Sequence, residues 1–185
     1  MLRVIKLGGS LLQGRSVTGC LDKIAGLSGK VAVVPGGGPF AEQVRGMQAM
    51  HGFDDVAAHR MAILAMQQTA LLLHSLKPGF RLIGAVEELT AVSGAAVWSP
   101  LITELDSAGI SPGWDITSDS LSAWLASRLG ATELVLVKSV PLQSANPIPE
   151  MQRLGIVDAA FHRFAGQLAC PVKVINIERF IGEYV

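Results

Sequence analysis

Short runs of aliphatic and β-branched residues, each stopped by glycine or proline, alternate along this chain with stretches whose apolar positions recur every three or four residues. Residues 2–7 and 30–34 are short and rich in aliphatic and β-branched residues, as suits central strands of a parallel sheet, buried on both faces. Between them Val17, Leu21, Ile24 and Leu27 recur at helical spacing, and Pro39 is placed to open a second helix carrying Phe40, Val44 and Met47. Asp54 or Asp55 caps a third helix running to about Leu76, whose apolar positions wrap much of its circumference. Such a helix is covered on more than one side, by the interior of its own domain or by a partner subunit.

The alternation continues to the end of the chain. Strands are predicted over 81–84, 95–98, 133–137 and 172–175, and helices over 86–92, 100–108 and 156–168, with another around Leu121, Trp124, Leu125 and Leu129 and a last helical turn at the C-terminus. Residues 109–115 are punctuated by glycine and proline and read as a functional loop, while three prolines make 141–149 irregular. The expected architecture is α/β: a three-layer α/β/α sandwich with an open, mainly parallel sheet, formed by one compact domain over 1–185.

Composition narrows the functional classes. Only 16% of the 185 residues are charged, low for a soluble monomer, so part of the apolar surface is expected to be hidden in an oligomer, a homodimer through the long helix. Fifteen basic and fifteen acidic residues balance, which argues against nucleic acid or a membrane surface as a partner held by net charge. Cys20 and Cys170 have neither metal-ligand spacing nor a disulfide pattern, and no apolar stretch approaches the roughly 20 residues that span a bilayer, so a reducing cytoplasm is expected. His51, His59, His74 and His162 show no metal-site spacing.

The chemistry is concentrated at strand ends. Lys6-Leu7-Gly8-Gly9-Ser10 and Pro35-Gly36-Gly37-Gly38-Pro39 each follow an apolar strand directly. Glycines let backbone N–H groups converge on phosphate oxygens, the following helices add the positive ends of their dipoles, and ligands of open α/β sheets sit at the carboxyl ends of strands. Lys6 and Lys138 end two such strands, where an ammonium can neutralise phosphate charge. Asp119 opens the Trp124 helix, either orienting a lysine or complementing the helix dipole; Asp115 either binds a cationic substrate group or makes a turn. The stretch 36–41 also satisfies a loose G-x-G-x-x-A dinucleotide pattern, the mark of an NAD(P)-dependent oxidoreductase, but the next acidic residues, Asp54 and Asp55, begin a helix rather than end a strand. A Walker G-x-x-x-x-G-K-[ST] is absent.

Taken together, residues 4–11, 33–40 and 116–124 resemble the amino acid kinase superfamily, which includes acetylglutamate, aspartate and uridylate kinases. Residues 39–45 and 58–66 are similar to its small aspartokinase-related group, which includes the aminomethylfuran phosphate kinase of methanofuran biosynthesis. The resemblance implies transfer of the γ-phosphoryl group of Mg-ATP, with magnesium held mainly through the nucleotide phosphates, to a small phosphorylated or carboxylated acceptor. It places Lys6, Gly8, Gly9 and Ser10 at the transferring phosphate, Gly36, Gly37 and Gly38 along the acceptor, Asp119 as the aspartate that organises the catalytic lysines, and Asp115 against an acceptor amine. Larger members carry a Thr-Asp pair after the fourth major strand and a late Gly-Gly-Met-x-x-Lys segment. Here Lys138-Ser139-Val140-Pro141 stands in the first place and 147–151 has no equivalent of the second. On this basis the nucleotide-binding part, about 110–185, is reduced, and either Lys138 supplies the missing charge or the chain is a non-catalytic binding subunit.

Overall fold

Strand alternation divides the apolar residues between two cores. Val4, Ala32, Val34, Trp98, Leu134 and Leu136 pack on one face of the sheet, and Ile5, Leu7, Val31, Val33, Val97, Val135 and Val137 on the other. The computed structural model describes residues 1–14, 16–142 and 147–185. In it β1 (Leu2–Leu7), β2 (Lys30–Pro35), β3 (Arg81–Ile83), β4 (Ala95–Trp98), β5 (Glu133–Lys138) and β6 (Val172–Asn176) form an all-parallel sheet. The strand order is β3-β4-β2-β1-β5-β6, so β1 lies between β2 and β5 and brings the ends of all three together.

Helices cover both faces, as the α/β reading requires. Against the first core lie α4 (Val86–Thr90), α5 (Ile102–Ser107), α6 (Ser118–Arg128) and α8 (Phe161–Ala165), joined by Ile148 and Met151 of α7 (Ile148–Arg153). Against the second lie α1 (Ser16–Ala25) and α9 (Ile177–Glu183). Between β2 and β3 run α2 (Gly38–His51) and α3 (Asp55–Leu76). The Asp54 carboxylate accepts from the Ala57 N–H at 2.8 Å, which makes Asp54 the cap of α3. Ile63 and Met66 of α3 join the first core and Ala70 and Leu73 the second, while Leu64 and Leu71 remain 45% and 57% exposed.

Three sequence expectations change. On α2 only Val44 of the predicted apolar face is buried, with Phe40 and Met47 37% and 44% exposed, because the helix packs mainly on α3 rather than on the sheet. Within 141–149 the irregular stretch ends before Ile148: Pro147 is the N-cap of α7 and Pro149 sits in its first turn, where a missing N–H costs nothing; residues 143–146 lie outside the described residues. The helix expected over 156–168 is confined to Phe161–Ala165, since Asp158 directs its carboxylate to α6 from a turn. Among the described residues no helix is long and apolar enough to cross a membrane.

Candidate active site

Register decides which strand residues meet. Lys6 pairs with Leu136 across β1 and β5, and Lys138, two residues on, emerges on the same face as Leu134 and Leu136. Above that face the first turn of α6 presents Asp119, whose carboxylate lies 2.7 Å from Lys6 Nζ. Lys138 Nζ donates to both oxygens of the same carboxylate, at 2.9 and 2.7 Å. All three side chains are nearly excluded from water. Two cations and one anion leave a buried excess of one positive charge at the carboxyl end of the central strands.

The charges answer to that burial. Burial alone would raise the Asp119 carboxyl, but the ammonium groups of Lys6 and Lys138 outweigh it and hold the group below the usual carboxylate range. For Lys138, burial and then the Lys6 charge pull the ammonium down to about 8, against the opposing pull of Asp119.

The two glycine turns are in backbone contact beside this cluster. Gly36 N–H donates to the Leu7 carbonyl at 2.9 Å, and Gly8 N–H donates to the Val137 carbonyl at 3.1 Å, which laces the ends of β2, β1 and β5. A Cβ on Gly36 would fall 2.5 Å from the Gly9 nitrogen, and one on Gly9 would collide with the Gly38 backbone. Gly38 has a φ of +53°. Only glycine allows these turns to lie so close, and Gly9, Ser10, Gly37 and Gly38 line one concavity as a result. At its edge the Ser10 and Ser139 hydroxyls are 2.8 Å apart.

A cleft of about 500 Å³ opens from these turns. Gly9, Ser10 and Gly36–Gly38 form one end, and Ile63, Met66 and Leu121 supply apolar wall. The loop 109–115 closes the far side: Arg45 of α2 lies 3.8 Å over the Trp114 ring, and Trp114 Nε1–H donates to Gln48 at 2.7 Å. His59 is buried against the same loop, its Nδ1 3.3 Å from the Gly113 carbonyl.

The structure therefore brings together Lys6, Gly8, Gly9, Ser10, Gly36, Gly37, Gly38, Asp119 and Lys138. It does not bring Asp115 with them: that side chain is exposed and lies 3.8 Å from Arg163, whereas Lys6, Gly8, Asp119 and Lys138 are buried or half-buried just behind the cleft wall formed by Gly9, Ser10 and Ser118. Sequence reasoning missed Glu42, Arg45 and Gln48, whose spacing of three along α2 places them on one face, a polar periodicity hidden by attention to Phe40 and Met47. It also missed Asp158, which falls within the helix expected over 156–168.

An open parallel sheet with paired glycine turns and a buried cation at its carboxyl edge defines a phosphate-handling α/β protein. More particularly, the chain belongs to the amino acid kinase family, whose model matches residues 1–159. The fold is similar to that of uridylate kinase from Archaeoglobus fulgidus, with a TM-score of 0.73 at 20% identity over 98% of this chain and 94% of that one. It is also similar to UMP kinase from Bacillus anthracis, with 0.67 at 19% over 96% and 87%, and from Ureaplasma parvum, with 0.71 at 14% over 98% and 92%. No curated protein matches the chain.

Proposed function

We propose that the protein is a small-molecule kinase that moves the γ-phosphoryl group of ATP to a small phosphorylated or carboxylated acceptor seated in the cleft. The observation that carries this is the Lys6–Asp119–Lys138 cluster standing beside two touching glycine turns. The donor set fits a polyphosphate: backbone amides in a concavity closed to Cβ atoms, two hydroxyls, and a net positive charge held in low dielectric. When bound, Mg-ATP supplies the phosphoryl group and a metal that shares its charge.

In this reading Gly8, Gly9, Ser10 and Lys138 hold nucleotide phosphates, Lys6 neutralises charge on the transferring group, and Gly36, Gly37 and Gly38 line the acceptor. Asp119 stays ionised and fixes both ammonium groups; no covalent intermediate is required. Lys138 takes the part that a late lysine plays in the larger relatives, which favours a working kinase over a binding subunit. The dinucleotide alternative loses its acidic residue, because Asp54 is occupied as the cap of α3. Likeness to the aspartokinase-related group makes an aminomethylfuran phosphate the first acceptor to try; Glu42, which lines the cleft, offers a carboxylate for its amine. Asp115 is given no acceptor contact. The exposed apolar row of α3 supports assembly as a homodimer.

The test is ATP consumption with phosphorylated product followed by ³¹P NMR, using aminomethylfuran phosphate and UMP as acceptors. Product with either, lost in Lys6→Ala, is expected; binding of acceptor without turnover by the intact protein would support the non-catalytic reading instead.

A further inference from the structure

The helix that carries Asp119 is capped from elsewhere in the chain. Thr117 occupies the N-cap position of α6, yet its hydroxyl caps nothing in that helix. It donates instead to Asp158 Oδ2 at 2.8 Å, and the Thr117 N–H donates to the same oxygen at 2.9 Å. The Ser120 N–H, the third helical amide and the usual partner of a capping side chain, donates to Asp158 Oδ2 at 3.0 Å. The Ser120 hydroxyl, fully buried, donates to Asp158 Oδ1 at 2.5 Å. One carboxylate thus accepts four hydrogen bonds from the turn that precedes and follows Asp119, and places a negative charge where the helix dipole is positive.

The turn bearing Asp158 is itself pinned. Val157 and Ala160 on either side are buried, Gln152 donates to the Ala159 carbonyl at 2.6 Å, and the Ala160 N–H donates to the Asp115 carbonyl at 3.0 Å. The clamped segment includes Ile116, Thr117 and Ser118, which line the cleft, and continues into Asp119. A helix needing only a cap had the Thr117 hydroxyl to hand. Turning that hydroxyl outward as a donor ties the segment to a second part of the chain.

We propose that Asp158 is a positioning residue of this site, holding the first turn of α6 so that Asp119 stays between Lys6 and Lys138 while the cleft wall 116–118 stays in place. This rests on the kinase reading for its consequence in catalysis, though not for its geometry.

The experiment is an NMR titration of ¹³C-labelled lysines in the ligand-free protein, with amide hydrogen exchange along α6, for the intact chain, Asp158→Ala and Ser120→Ala. Lys138 faces Lys6 from β1 and Asp119 from α6. With Asp119 loosened and Lys6 fixed on its strand, Lys138 should titrate below its value in the intact protein. Exchange at Ser118–Leu121 should accelerate roughly 2- to 30-fold, the loss of one cap, with β1 and β5 unchanged. Ser120→Ala should move both readouts the same way by less, and it decides the matter if Asp158→Ala does not fold. Unchanged Lys138 titration and unchanged first-turn exchange in folded variants would overturn the proposal. Because neither readout needs an acceptor, failure of phosphoryl transfer in the intact protein would defeat the kinase reading and leave this one standing.

Discussion

Lys138 Nζ engages both carboxylate oxygens of Asp119, at 2.7 and 2.9 Å, while Lys6 approaches one of the same oxygens from the neighbouring strand. A single buried anion therefore holds two buried cations, with a surplus of one positive charge.

The pH dependence follows from Lys138. Burial and the Lys6 charge lower its ammonium to about 8, so it is charged below that pH and neutral above it. The expected kcat/KM falls on the alkaline side with a midpoint near 8, a value belonging to the free enzyme. In Lys138→Arg the guanidinium does not titrate in that range, and the alkaline limb should disappear from the pH profile.

Asp119→Asn keeps the shape of the carboxylate and removes its charge, which leaves two ammonium groups facing each other without a counterion. Denaturant unfolding should show a loss of about 3–5 kcal/mol near neutral pH. The sign with pH is diagnostic: above the Lys138 titration only one charge remains, so the variant should lose less stability at pH 9 than at pH 6.

Gly9→Ala would drive a Cβ into the Gly38 backbone, where no flexible side chain can yield. Separating the turns should cost about 1–3 kcal/mol in urea unfolding. It should also weaken phosphate binding, whereas Gly46→Ala, inside α2 with open space around its Cβ position, should leave phosphate binding unchanged and raise stability by about 0.5–1 kcal/mol.

The exposed row Met61, Leu64, Leu71 and Leu72 lies on one side of α3. Sedimentation should give a dimer, and Leu64→Glu with Leu71→Glu should give a folded monomer. A monomeric intact protein would count against the homodimer.

Much of the fold was legible because a parallel sheet buried on both faces leaves short strands rich in aliphatic residues and stopped by glycine or proline, as at Leu2–Leu7 before Gly8 and Ala95–Trp98 before Ser99-Pro100. Lys6, Lys138 and the glycine turns were legible for the same reason, since the ends of such strands are fixed by their sequence. The pairing of Lys138 with Asp119 was not, because it depends on how α6 crosses the sheet. Asp158 was obscured by its apolar neighbours Ile156 and Val157, which imitate a helix, and Trp114 required knowing that Arg45 and Gln48 face its loop.

Isothermal titration of the intact protein with Mg-ATP bears most directly on the claim that this cluster receives a nucleotide's phosphates. One molecule should bind per chain, with affinity reduced roughly 10- to 150-fold in Lys138→Ala, the loss of a charged hydrogen bond. Absence of binding to the intact protein, or binding indifferent to both Lys6→Ala and Lys138→Ala, would contradict it.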